Sequence, residues 1–183
     1  MADSTALQTA VGAWCNDSIT AASTYGHIKC WDTSAVTDMS LLFSRYDADG
    51  NDVGGLYCST YDAFDDDISA WQTSSVTDMN RMFNSATSFN GDVSNFDTSS
   101  VTDMGSMFYG ATSFNSNVSN FDTSSVTTMQ SMFQGATSFN GEVSNFYTSS
   151  VTDMQSMFKG ASSFNKDTSS WISKDFLLLT IHY

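Results

Sequence analysis

The sequence predicts an α/β repeat solenoid, a right-handed stack of 25-residue coils, each a short parallel strand plus a short helix. Three observations lead there. The segment "NFDTSSVTDM" at 95–104 returns as "AWQTSSVTDM" at 70–79, "NFDTSSVTTM" at 120–129 and "NFYTSSVTDM" at 145–154, with an outlying "CWDTSAVTDM" at 30–39. Val76, Val101, Val126 and Val151 lie 25 residues apart, and Val36 precedes Val76 by 40, one period plus a 15-residue insertion. Inside each copy the apolar spacing alternates between a helical stretch and a short segment with two inward residues. A fixed period of this size marks units that cannot bury their own apolar face and so stack to bury one another.

The elements follow in chain order. Leu7, Ala10, Val11 and Trp14 fit one face of an N-terminal helix, capped at Ser4 or Thr5, so residues 1–23 are read as the cap over the first coil. Residues 24–171 form the stack, interrupted by an insertion at about 44–60. With 92–116 as the type, "DVSNF" is expected to be a brief strand, matched by Ile28–Trp31, Ile68–Trp71, Val118–Phe121, Val143–Phe146 and Thr168–Trp171. Six such strands would stack roughly 4.8 Å apart. Ser100 to Asp103 reads as a capping box. Val101, Met104, Phe108 and Ala111 then follow at helical spacing, and Gly110 suits a left-handed cap. Stacked copies make columns of Phe64, Phe89, Phe114, Phe139 and Phe164 and of Met39, Met79, Met104, Met129 and Met154, which are read as core. Asn90, Asn115, Asn140 and Asn165 are expected to bond the neighbouring coil's backbone. Residues 172–183 leave the repeat and read as a C-terminal cap or a truncated tail.

Charge narrows the partners. Against 20 acidic residues stand 6 basic ones, a formal charge of −14, which excludes nucleic acid, whose phosphates need a basic surface. The longest apolar run, FLLL at 176–179, is far short of a membrane span, and no signal peptide is read at the N-terminus. Cys15, Cys30 and Cys58 have no metal-type spacing; three buried thiols are the first choice, one disulfide plus a free thiol the alternative.

The unit W-D-T-S-x-V-T-D-M-x-x-M-F-x-G-A-x-S-F-N-x-D-I-S-x-W resembles the BspA-type leucine-rich-repeat surface proteins, 25-residue repeats found in mycoplasma lipoproteins, other bacteria and unicellular algae. The likeness covers roughly residues 24–171, and "TAVGAWCNDSITAASTYGHIKCWDTS" is similar to the N-terminal cap of the algal versions. The resemblance implies a leucine-rich-repeat-like coil and a cell-surface or secreted chain used for adhesion or binding of a protein partner. It implies no catalytic residues.

The residues themselves agree that chemistry is sparse. His27 and His182 have no partner at a recognisable spacing, and the near-identical "DTSS" copies read as turns and caps rather than nucleophiles. No enzyme is expected. The capping carboxylates Asp38, Asp78, Asp103 and Asp153 are explained by the helix N-terminus, with Thr128 at the same position of the fourth copy. A second column, Asp67, Asp92, Asn117, Glu142 and Asp167, is expected to face solvent, where like charges repel unless a cation or a basic partner relieves them. In the insertion, Asp47, Asp49, Asn51 and Asp52 supply the oxygen ligands calcium prefers, off the EF-hand spacing; the alternative is a plain acidic loop. No other cofactor is expected. Asn16 and Asn117 lie in N-x-S sequons.

Specificity must come from positions that vary between coils. These are Asn84, Tyr109, Gln134 and Lys159 on the expected helix exterior, and Gln72, Asp97, Asp122 and Tyr147 after the expected strand. Tyr147 and Tyr109 are the candidate anchors of a partner surface that includes the acidic column, since tyrosines bring large area at low conformational cost. The function expected is a non-enzymatic cell-surface or secreted adhesion module presenting an acidic repetitive face. The alternatives are a structural subunit docked on a larger assembly, or placement in an organelle lumen. A remoter one is an ice-binding lattice built on Thr73, Thr98, Thr123 and Thr148.

Overall fold

The structure is a computed structural model that describes residues 1–171. The C-terminal cap expected at 172–183 lies outside the described residues. Two α-helices open the chain, α1 (Ser4–Asn16) and α2 (Ser18–Tyr25), followed by a single 3₁₀ turn at Ile28–Cys30. Leu7, Ala10, Val11 and Trp14 are the buried face of α1, as their spacing dictates. Its cap is Asp3, whose carboxylate takes the Ala6 N–H at 2.8 Å, not Ser4 or Thr5. Ser4 does a different job. Its hydroxyl accepts the Asp38 N–H at 3.0 Å, so the start of α1 closes the open backbone edge of the first coil. Trp14 Nε1 adds a bond to Asp66 at 2.8 Å. The second helix was not legible as a separate element; Asp17 caps it by accepting from Ile19 and Thr20.

Beyond the helices, the α/β coil of strand plus helix is overturned. Every segment read as a strand is a tight turn closed by a bond three residues back: Phe96 N–H to the Val93 carbonyl, and likewise Trp71 to Ile68, Phe121 to Val118, Phe146 to Val143 and Trp171 to Thr168. The first copy, Ile28 to Trp31, is the 3₁₀ turn. The stretch read as a helix is not one either. The helical bond of Phe108 would go to Met104; its N–H goes instead to Met132 in the next coil, at 2.9 Å. Met104, Ser106 and Gly110 donate in the same way to Thr128, Gln130 and Gln134. The backbone can alternate like this because Ser106 (φ 54°) and Gly110 (φ 66°) are left-handed, and the equivalents Arg81, Ser85, Ser131, Gly135, Ser156 and Gly160 repeat the device. Between the rungs, Met107 bonds back to Met104 and Ala111 to Phe108, again as turns. The leucine-rich-repeat-like architecture therefore falls: among the described residues the sheet-like pairing is limited to isolated bridges. Parallel ones link Asp38, Asp78, Asp103, Thr128 and Asp153 in series.

What the repeats share is packing. Phe83, Phe108, Phe133 and Phe158 stack at 5.5–5.6 Å, and Phe89, Phe114, Phe139 and Phe164 at 5.9–6.0 Å. The two columns interlock within a coil, with Phe108 3.8 Å from Phe114. Met39, Met79, Met104 and Met129 are fully buried beside them. Asn115, Asn140 and Asn165 take up the expected ladder, each backbone N–H donating to the side-chain oxygen of the asparagine one coil earlier.

The insertion is clamped. Cys15 of α1 and Cys58 form a disulfide, and Cys30 is an exposed thiol, so the reading of three buried thiols is wrong. Spacing along the chain carries no sign of this pairing, because the helix and the insertion meet only when α1 lies on the first coil. Tyr46 to Asp52 is a small antiparallel hairpin, and Arg81 pins it by donating to the Asp47 and Ala48 carbonyls at 2.8 and 3.0 Å.

Candidate functional site

The Val143–Phe146 turn buries its two end residues and projects Ser144 and Asn145 outward. The chain then alternates: Phe146 in, Tyr147 out, Thr148 in. Thr123 of the preceding coil fixes this register by donating its hydroxyl to the Tyr147 carbonyl at 3.1 Å. The ring is thereby held outside the core, 66% exposed, the most exposed aromatic side chain among the described residues. Beside it lies a groove of about 490 Å³, lined by Ser119, Asn120 and Asp122 of one coil, Ser144 and Asn145 of the next, and Ser170 beyond. Among the described residues no basic one lines it.

Tyr147 gives up a local role that two of its equivalents, Asp97 and Asp122, keep, while Gln72 bonds the preceding coil instead. Asp97 and Asp122 accept the N–H of Ser99 and Ser124 at 3.1 and 2.9 Å, and Gln72 accepts from Thr33 at 3.2 Å. The Ser124 hydroxyl, more than its N–H, holds the Asp122 carboxyl below the ordinary carboxylate range. A tyrosine can make no such turn bond. Its ring meets no other aromatic ring and its hydroxyl bonds no protein group among the described residues.

The other candidates are placed elsewhere or are already engaged. Tyr109 is half-buried, with its carbonyl taking the Ser85 N–H at 2.6 Å, and it does not line the groove. Asn84, expected outside, is 5% exposed. Asp67, Asp92, Glu142 and Asp167 are exposed, as expected of that column, yet two are neutralised: Lys29 pairs with Asp67 and Lys166 with Glu142. Asp67, Asp92 and Asp167 also accept the N–H two residues on, at 3.0, 2.9 and 2.8 Å. Lys29 beside it, then the Ser69 bonds, hold Asp67 well below the usual carboxylate range.

In the insertion Asp47 accepts from the Asn51 N–H and side-chain amide at 2.8 and 2.9 Å, and Asp52 is forked by Arg45 at 2.9 and 2.7 Å. Asp49 is exposed beside them, and no three acidic, histidine or cysteine groups converge to hold a metal among the described residues. Thr73, Thr98 and Thr123 are buried, and each hydroxyl donates to a carbonyl of the next coil; Thr148 is buried too. That column offers no exposed lattice. His27 accepts the Lys29 N–H at 3.3 Å and packs edge-on to Trp14.

Sequence reasoning placed Tyr147 on the exterior, where the structure has it, but missed the groove beside it. The signal was present in the Ser-Asn pairs at 94–95, 119–120 and 144–145, which recur at one repeat position and so line up along the stack. Among the described residues no helix is long and apolar enough to cross a membrane. No curated protein matches the chain, and no solved structure matches it. One family does, over residues 14–124 and again over 51–171, a span that takes in the coils, the insertion and the groove. With its repeats matched along most of its length, this chain belongs to the family described as Mycoplasma protein of unknown function, DUF285.

Proposed function

We propose that the chain is a non-enzymatic recognition module, displayed at a cell surface or secreted, that adheres to another macromolecule through the groove at Tyr147. The observation that carries this reading is the ring itself, 66% exposed where the equivalent Asp97 and Asp122 close turns. Exposed tyrosines in polar settings are favoured contact residues. Resemblance of the repeats to BspA-type surface proteins supports the adhesion role. The Cys15–Cys58 disulfide supports an oxidising location, since such bonds persist outside the reducing cytosol. The hydroxyls that could tempt an enzymatic reading are engaged in the stack: those of Ser75, Ser100 and Ser125 all donate to carbonyls of the preceding coil.

The test is adhesion. Beads coated with the purified chain are offered a panel of immobilised animal, bacterial and algal cell surfaces. Wild-type beads should hold to at least one surface, and Tyr147→Ala beads should wash off at an unchanged melting temperature. Failure of wild-type beads on every surface, or equal retention of the variant, overturns the reading.

A further inference from the structure

We infer that the groove at Tyr147 takes a neutral carbohydrate chain, a step that rests on the recognition reading above and names its ligand. Three observations point to this chemistry. The groove offers one exposed aromatic face with planar amides and hydroxyls beside it: Asn120, Asn145, Ser119 and Ser144 around Tyr147. A pyranose has the complementary surface, one apolar face of C–H groups that packs on an aromatic ring and a rim of hydroxyls that both donate and accept.

The second observation is charge. Among the described residues Asp122 is the one ionisable carboxylate lining the groove and no cation lines it, and the whole chain carries −14. Sulfated, phosphorylated or uronic polymers are repelled, whereas neutral sugar hydroxyls can donate to the carboxylate.

Periodicity is the third. Ser94-Asn95, Ser119-Asn120 and Ser144-Asn145 repeat at one register on successive coils. Directly bonded backbones lie ~4.8 Å apart, and the ring that closes the Ser144-Asn145 turn, Phe146, stacks 6.2 Å from Trp171 of the next coil; the repeat of the pairs falls within these bounds. That is close to the rise of one hexose along an extended chain, so a polymer lying along the stack meets the same pair of side chains at each sugar. A folded protein epitope has no such repeat.

Affinity electrophoresis tests this directly. The purified chain is run through native gels that each hold one soluble polysaccharide: hydroxyethylcellulose, laminarin, guar galactomannan, or heparin as the polyanion. At least one neutral gel should retard it and heparin should not. Tyr147→Ala should weaken the retardation about tenfold or more, and Tyr147→Trp should keep it. Retardation in no neutral gel, or equal retardation of Tyr147→Ala, overturns the inference. In the bead assay, mild periodate destroys vicinal diols and protease removes proteins. Adhesion lost to periodate and kept after protease supports a sugar ligand. Adhesion kept after periodate and lost to protease overturns it while the recognition reading stands; no adhesion by wild-type beads removes that reading as well.

Discussion

Single side chains decide how well each coil seats on the next. Phe114 lies 3.8 Å from Phe108 and within 6.0 Å of both Phe89 and Phe139, with nothing of it exposed. Phe114→Ala should therefore cost about 3–5 kcal/mol, transfer plus cavity, because rungs on both sides keep the gap from collapsing. Chemical denaturation of the two proteins measures it. The backbone holds a smaller reserve. Ser131 sits at φ 54°, a left-handed conformation unfavourable to any residue with a Cβ by about 1–2 kcal/mol, and glycine would relieve this at some entropic cost. Ser131→Gly should stabilise the chain by about 0.5–1 kcal/mol, whereas the same change at Ser113, which is not left-handed, should destabilise it. A melting curve of each variant separates them. Inside and outside were legible at this scale: Val101, Met104, Met107, Phe108 and Ala111 are all buried, as their spacing implies.

At the scale of elements the same spacing misleads. Apolar residues three and four apart signal a helix, but a run of turns closed three residues back turns the chain inward at nearly the same interval. What separates the two is where the N–H groups go, and that depends on a neighbour the period does not describe. Here the next coil supplies the carbonyls, and a helix this short is marginal by itself. The left-handed serines, Ser106, Ser131 and Ser156, gave no warning, because serine is not the residue that conformation favours. The asparagine ladder was legible, since one amide per period at a turn has few other partners. Asn115→Ala should cost about 1 kcal/mol by stranding the Asn140 N–H. Asn115→Asp should be milder, because Asp65 already accepts the Asn90 N–H in this way at 2.8 Å; thermal melts of the pair check the order. The disulfide joins α1 to the insertion across 43 residues, and closing a loop of that length is worth about 4 kcal/mol by chain entropy. Reduction should lower the melting temperature and expose Trp14, now 6% exposed, to a fluorescence red shift, while Cys30→Ser leaves both unchanged.

For the whole molecule, the surplus of acid sets how stability depends on pH, and two populations of aspartate pull in opposite directions. The Asn51 amide lowers the Asp47 carboxyl, the Ser94, Ser99 and Ser124 hydroxyls lower Asp92, Asp97 and Asp122, and Arg45 lowers Asp52. A carboxyl depressed by folding contributes stability that is complete above its unfolded value of about 3.9 and is lost as pH falls through the folded value. Asp78 is the opposite case. Desolvation raises it first, with the nearby Asp103 and Asp38 adding to this and the bond from the Asn80 N–H working against it. A carboxyl raised by folding weakens the fold at neutral pH, and that penalty fades as pH falls through the folded value towards the unfolded one. Its column shows that the charge can be spared, because Thr128 holds the same place and its hydroxyl accepts the Gln130 N–H at 3.3 Å. Asp78→Asn keeps an oxygen for the Asn80 N–H, now bonded at 2.7 Å, and removes the charge. The variant should therefore melt higher than the parent at pH 7, and the gain should shrink steadily as pH falls through the raised Asp78 value towards the ordinary carboxylate range. Both proteins should lose stability together below about pH 4, as the turn-closing aspartates take up protons. Melting temperatures of the two chains across pH 3–8 at fixed ionic strength check this, and a gain that grows on acidification would reverse the assignment of Asp78.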